Sequence, residues 1–161
     1  MNLATTKSSI VLTRWLSVAA VVFLAISMIL PVINIEMSST PLMMLALPNL
    51  KMTGKQVFGL MGFLALTLTI LFSFVLFFEK RFSHLLPLGF AALALWLSSL
   101  VLAAAEVNTS FEATLATISV LNRGDTAPDL TAQLVPMLGL WFCLIGLSIL
   151  IVTVIACRRN K

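Results

Sequence analysis

No charged residue interrupts the chain from Trp15 to Ile35, from Gln56 to Phe78, from Leu85 to Ala105, or from Leu130 to Ala156. Each run supplies about 20 mostly apolar residues, enough to cross a ~30 Å hydrocarbon core at ~1.5 Å per residue. Composition agrees: 60% of the residues are hydrophobic and 10% charged, with mean hydropathy +1.11. Soluble domains carry about 25% charged residues. The sequence therefore predicts an all-α integral membrane protein, a four-transmembrane-helix bundle in a single polytopic domain, 1–161. The expected spans are TM1 about 14–33, TM2 about 56–78, TM3 about 85–105 and TM4 about 131–156, leaving outer loops 34–55 and 106–130. The first run is longer than a signal-peptide core and precedes no small-x-small cleavage site, so it is expected to be retained.

The shortest connection is Glu79-Lys80-Arg81-Phe82-Ser83-His84. It makes the second and third helices antiparallel neighbours. Four spans put both termini on the side of this turn, with Lys7, Arg14, Lys80, Arg81, Arg158, Arg159 and Lys161. Lys51, Lys55 and Arg123 fall on the other side. Short basic segments stay cytoplasmic, so the termini are expected inside and the two larger loops outside. Small size and short basic loops suggest a bacterial inner membrane. The same basic residues, Lys80, Arg81, Arg158, Arg159 and Lys161, are candidates for headgroup contact.

The outer loops carry local patterns. Asn34-Ile35-Glu36-Met37 and Leu50-Lys51-Met52-Thr53 alternate polar and apolar, a strand signal. Pro41 to Pro48 between them is apolar but too short to span. Either a small β-hairpin caps the bundle or the segment dips into the interface; the alternation favours the cap. In the second loop, Thr109-x-x-Glu112 matches a capping box. Phe111, Leu115, Ile118 and Leu121 follow at helical spacing, predicting a short amphipathic helix. Asn122-Arg123-Gly124-Asp125 reads as its stop, and Thr126-x-Pro128-Asp129 as the start of the next helix. Pro31 is expected to end or bend the first helix, and Pro136 to bend the fourth.

Chemistry is hard to find in these residues. No ionisable side chain lies in the middle of a span, which argues against a proton-coupled transporter and against acid–base catalysis at that depth. His84 is the sole histidine and reads as a turn residue. Two cysteines, Cys143 and Cys157, occupy one run and cannot pair within one helix. Met37, Met43, Met44 and Met52 would suit soft Cu(I), but their irregular spacing reads as packing. Cys157 beside Arg158 and Arg159 fits an acylation position as well as an ordinary helix end. No catalytic residue, cofactor, metal site or nucleic-acid surface is expected.

The most usable pattern is small residues. Gly139, Cys143 and Gly146 share one face of the fourth helix. Ala94 and Ser98 are four apart on the third, with Ala91 one turn earlier. Small-xxx-small faces let helix backbones approach closely, so these residues are expected to join helices three and four, or to receive a partner's helix. Trp96, near mid-span, is expected inside the bundle or against another subunit.

Known four-span plans carry marks that this chain lacks. Disulfide-forming quinone-linked proteins need outer cysteine pairs, small multidrug antiporters a carboxylate in the first helix, and claudin-like tetraspans a Trp and two Cys in the first outer loop. Residues 34–55 resemble the last layout in outline only. The expectation is a non-enzymatic accessory or scaffold subunit of a larger membrane complex, with a membrane-protein partner or a second copy. The alternative is a component of a transporter for a lipid or other apolar solute.

Overall fold

Pro31 has no backbone N–H and its ring clashes with a preceding helical turn, so the first helix must stop before it. In the computed structural model, which describes residues 3–39, 50–79, 82–121 and 130–159, α1 runs Leu3–Ile29 and Pro31 opens a strand, β1 (Pro31–Ser39). Then come β2 (Leu50–Thr53), α2 (Gly54–Phe78), a 3₁₀ turn (Phe82–Leu85), α3 (Leu86–Leu121), β3 (Leu130–Pro136) and α4 (Leu138–Arg159). All four helices are long and apolar enough to cross a membrane, the makeup of a multi-pass membrane protein.

The strands form one antiparallel sheet in the order β2-β1-β3. Ile35 lies opposite Leu50 on β2 and Leu134 on β3, and Glu36 opposite Gln133. The two alternating segments of the first loop are thus strands, joined by a third from the second loop. Residues 131–136 were expected to begin the fourth helix and instead form β3. Pro136, paired with Ile33, is the last residue of the strand; the Met137 N–H still donates to the Val32 carbonyl of β1 at 2.9 Å, and α4 opens at Leu138. The expected helix restart at Thr126 to Asp129, the stop at 122–125 and the apolar segment 41–48 lie outside the described residues.

A second correction concerns α3. The expected helix break at residue 105 is absent, and one helix continues to Leu121. No Gly or Pro occurs from Phe90 to Arg123, and leaving the hydrocarbon does not itself end a helix. Thr109 is not a cap: its hydroxyl donates to the Glu106 carbonyl within the helix, at 2.8 Å. Asn108 Nδ2 donates to Glu112 Oε1 at 2.8 Å, an i,i+4 pair that supports continuity. The reciprocal cap is at α2, where Gln56 Oε1 accepts from the Thr53 N–H at 2.9 Å and its hydroxyl at 3.1 Å. The Thr53-x-x-Gln56 spacing signals it in the sequence.

Strand pairing dictates which helices meet. β1 follows α1 directly and β3 precedes α4 almost directly. Pairing β1 with β3 therefore sets α1 beside α4, antiparallel. The short turn sets α2 beside α3, and β2 ties α2 to the same sheet. The core runs through the bundle with Leu24, Phe72, Leu76, Trp96 and Leu150 fully enclosed.

Candidate functional site

The small face of α4 meets α1. A Cβ at Gly139 would lie 2.7 Å from the Pro31 carbonyl oxygen, and one at Gly146 2.8 Å from Leu24 Cγ. Between them the buried Cys143 thiol lies beside the Ser27 hydroxyl. The Phe23 and Phe142 rings, 5.5 Å between centroids, extend the same contact. This corrects the expected pairing of that face with α3. Helix α4 does touch α3, but at Gly89, where a Cβ would lie 2.8 Å from Val154 Cγ2.

On α3 the expected packing face is turned outward. Ala91, Ala94 and Ser98 are exposed, and Ser98 Oγ only donates to the Ala94 carbonyl of its own helix, at 2.9 Å. Gly89, Ala92, Trp96, Ser99, Ala103 and Val107 face the bundle. Small residues line both sides of this helix, and lipid is as apolar as the interior. Neither spacing nor hydropathy could therefore tell the two faces apart.

Buried hydroxyls join the helices. Trp96 Nε1 donates to Thr69 Oγ1 at 3.1 Å, while Thr69 Oγ1 donates to the Ala65 carbonyl at 2.7 Å. The Trp96 ring also meets Phe58 edge-on, with centroids 5.9 Å apart. Ser17 and Ser73 share a hydrogen bond of 2.9 Å between α1 and α2. Near the end of α2, Arg14 Nε donates to the Leu76 carbonyl at 3.1 Å, with its guanidinium 5.8 Å from the Phe77 ring centroid. A cation on a helix's last carbonyls satisfies an unpaired acceptor and complements the dipole. Nothing local to Arg14 in the sequence marks this contact, because its partner is remote in the chain.

Between the sheet and the bundle is a cavity of about 310 Å³. Val32, Ile33 and Leu134 face it from the sheet, Val57 and Phe58 from α2, and Leu140 from α4. Leu100, Ala103, Ala104, Val107 and Asn108 complete it from α3. Asn108 is the single polar side chain among the described lining residues. Val57 and Phe58 also border an outer groove of about 430 Å³ that reaches Gln56, Glu106 and Thr109. The main-chain break in α2 lies there: Gly59 has φ 53° and ψ −149°. No sequence signal marked the cavity, since its walls come from five elements.

Of the headgroup candidates, Arg158 is exposed at the end of α4. Lys80, Arg81 and Lys161 lie outside the described residues, as does the side chain of Arg159. His84 is exposed in the 3₁₀ turn. Cys157 is fully buried, so its thiol is not presented to an acylating enzyme. Met52 packs against the core, while Met43 and Met44 fall outside the described residues. Among the described residues no three His, Cys, Asp or Glu side chains gather closely enough to hold a metal ion. No family model, curated protein or solved structure matches the chain.

Proposed function

We propose that this protein is a non-catalytic accessory or scaffold subunit of a larger membrane assembly. The observation that carries this reading is the outward small face of α3, Ala91, Ala94 and Ser98. Small side chains let a second helix approach its backbone closely, and van der Waals packing is what joins helices in lipid. The occupant is a transmembrane helix of a partner or of a second copy.

The test is purification in mild detergent at native expression level. The expected result is a stoichiometric complex or homo-oligomer, reduced to the single chain by Ala94→Leu. A monodisperse monomer from the unaltered chain would sink the proposal.

In the proposed orientation, both termini and the turn at 79–84 are cytoplasmic in a bacterial inner membrane. The sheet and the far end of α3 then lie outside. The distribution of basic residues supports this. Lys80, Arg81, Arg158, Arg159 and Lys161 would meet anionic headgroups. A reporter that works only in the cytoplasm, fused after Lys161, is expected to be active.

A second reading, a component of a transporter for a lipid or other apolar solute, draws on the apolar cavity beneath the sheet. It predicts that the protein, reconstituted in vesicles with whatever subunits purify with it, moves such a solute, and that Ala103→Leu in the cavity wall slows that movement.

A further inference from the structure

We infer that the cavity between the sheet and the bundle holds one acyl chain of a membrane phospholipid. Holding a chain is distinct from moving one, so this stands apart from both readings of function and requires only residence in a bilayer.

The walls select the occupant. None of the described lining residues is charged. The one polar lining side chain, Asn108, donates its Nδ2 to Glu112, one turn further along α3. A solute bearing hydroxyl, amide or charged groups would leave them without partners, at a cost in free energy. Pockets for functionalised ligands ordinarily present several convergent polar groups; these walls present one carboxamide, at the exposed end of the cavity, with its Nδ2 donating to Glu112. What remains is a thin, featureless apolar body.

Position identifies its source. On α3 the lining residues run from Leu100, within the uncharged span, to Asn108, beyond Glu106. The cavity therefore straddles the boundary between hydrocarbon and water, the depth at which an acyl chain joins its headgroup. The bilayer supplies such chains at high concentration. Ala104, Asn108 and Leu134, which line it, are exposed, so the cavity opens at the protein surface and a chain can enter it from the bilayer. Ala103 and Ala104 are the small residues on its α3 wall.

Trp96 reports on occupancy. It is fully buried, away from bulk lipid, and its ring touches Phe58, which lines the cavity. Trp15 and Trp141 are exposed and would respond to any surrounding lipid, so both are replaced by Phe. The full chain is then reconstituted in vesicles of phosphatidylcholine with brominated acyl chains, and in unbrominated ones. Bromine quenches tryptophan at short range.

The expected result is loss of Trp96 emission in brominated vesicles, relieved by Ala103→Leu and by Ala104→Leu, each of which fills the cavity. Val101→Leu, on the exposed side of α3, leaves the quenching unchanged. If one filling variant does not reconstitute, the other decides. Emission unaffected by bromine, or equal quenching in the filled variants, overturns the inference. So does recovery of a tightly held fatty acid in place of phospholipid on solvent extraction of the purified protein.

Discussion

Gly54 and Gly59 stand near each other in the first turns of α2 and constrain it by different means. At Gly54 a Cβ would collide with the Ser27 carbonyl oxygen and lie 2.8 Å from Met28 Cα. Both obstacles are backbone and cannot rotate away. At Gly59 a Cβ would meet nothing, yet φ 53° with ψ −149° is a region that L side chains avoid. Gly54→Ala is expected to cost about 3 kcal/mol, the upper end of overpacking penalties, by prising α1 from α2. Gly59→Ala is expected to cost about 1–3 kcal/mol through conformation alone. Thermal unfolding in detergent measures both. A neutral Gly59→Ala would mean that α2 runs straight through this position. Neither glycine's role could be inferred from its neighbours in sequence, because one depends on α1 and the other on a break that no proline marks.

At the level of elements, α2 ends on a partner supplied by α1. Arg14 reaches the Leu76 carbonyl, which an isolated helix would leave to water or unpaired. Arg14→Met keeps a long apolar stem and removes that donor. It is expected to cost about 1.5–3 kcal/mol, the range for a hydrogen bond to a charged group, with faster amide exchange confined to the last turn of α2 and no change in α3. Uniform loss of protection would instead assign Arg14 a role in global packing. The existence of all four helices could be read from the uncharged runs, and α2 nearly to its ends. The far end of α3 could not, since Thr109-x-x-Glu112 serves equally as an N-terminal cap and as interior helix. Only the uninterrupted backbone of α3 resolves that ambiguity.

For the molecule as a whole, the β1–β3 pairing sets the order of the bundle. It joins segments from the two outer loops, far apart in the chain, and so brings α4 onto α1, where Gly139, Cys143 and Gly146 find their contact. Glu36 and Gln133 are directly opposed, and neighbouring antiparallel strands place such Cα atoms about 4.5–5.5 Å apart. That is within disulfide reach. The double variant Glu36→Cys with Gln133→Cys is expected to cross-link under mild oxidation, read as a reducible shift in gel mobility. A helical start at residue 131 would prevent it.

The uncharged runs alone determined that this chain is built from four membrane-length helices. Their lengths match the hydrocarbon core, and hydropathy is a local property. The short basic turn also determined that α2 and α3 are neighbours. Tertiary structure decided which small-residue face is inside, which helix each face meets, and that an apolar cavity lies beneath the sheet. In a membrane helix both faces are apolar, so burial leaves no imprint on the pattern of residues. Strand pairing between distant loops, and close backbone approach at Gly139 and Gly146, supply the information that hydropathy lacks.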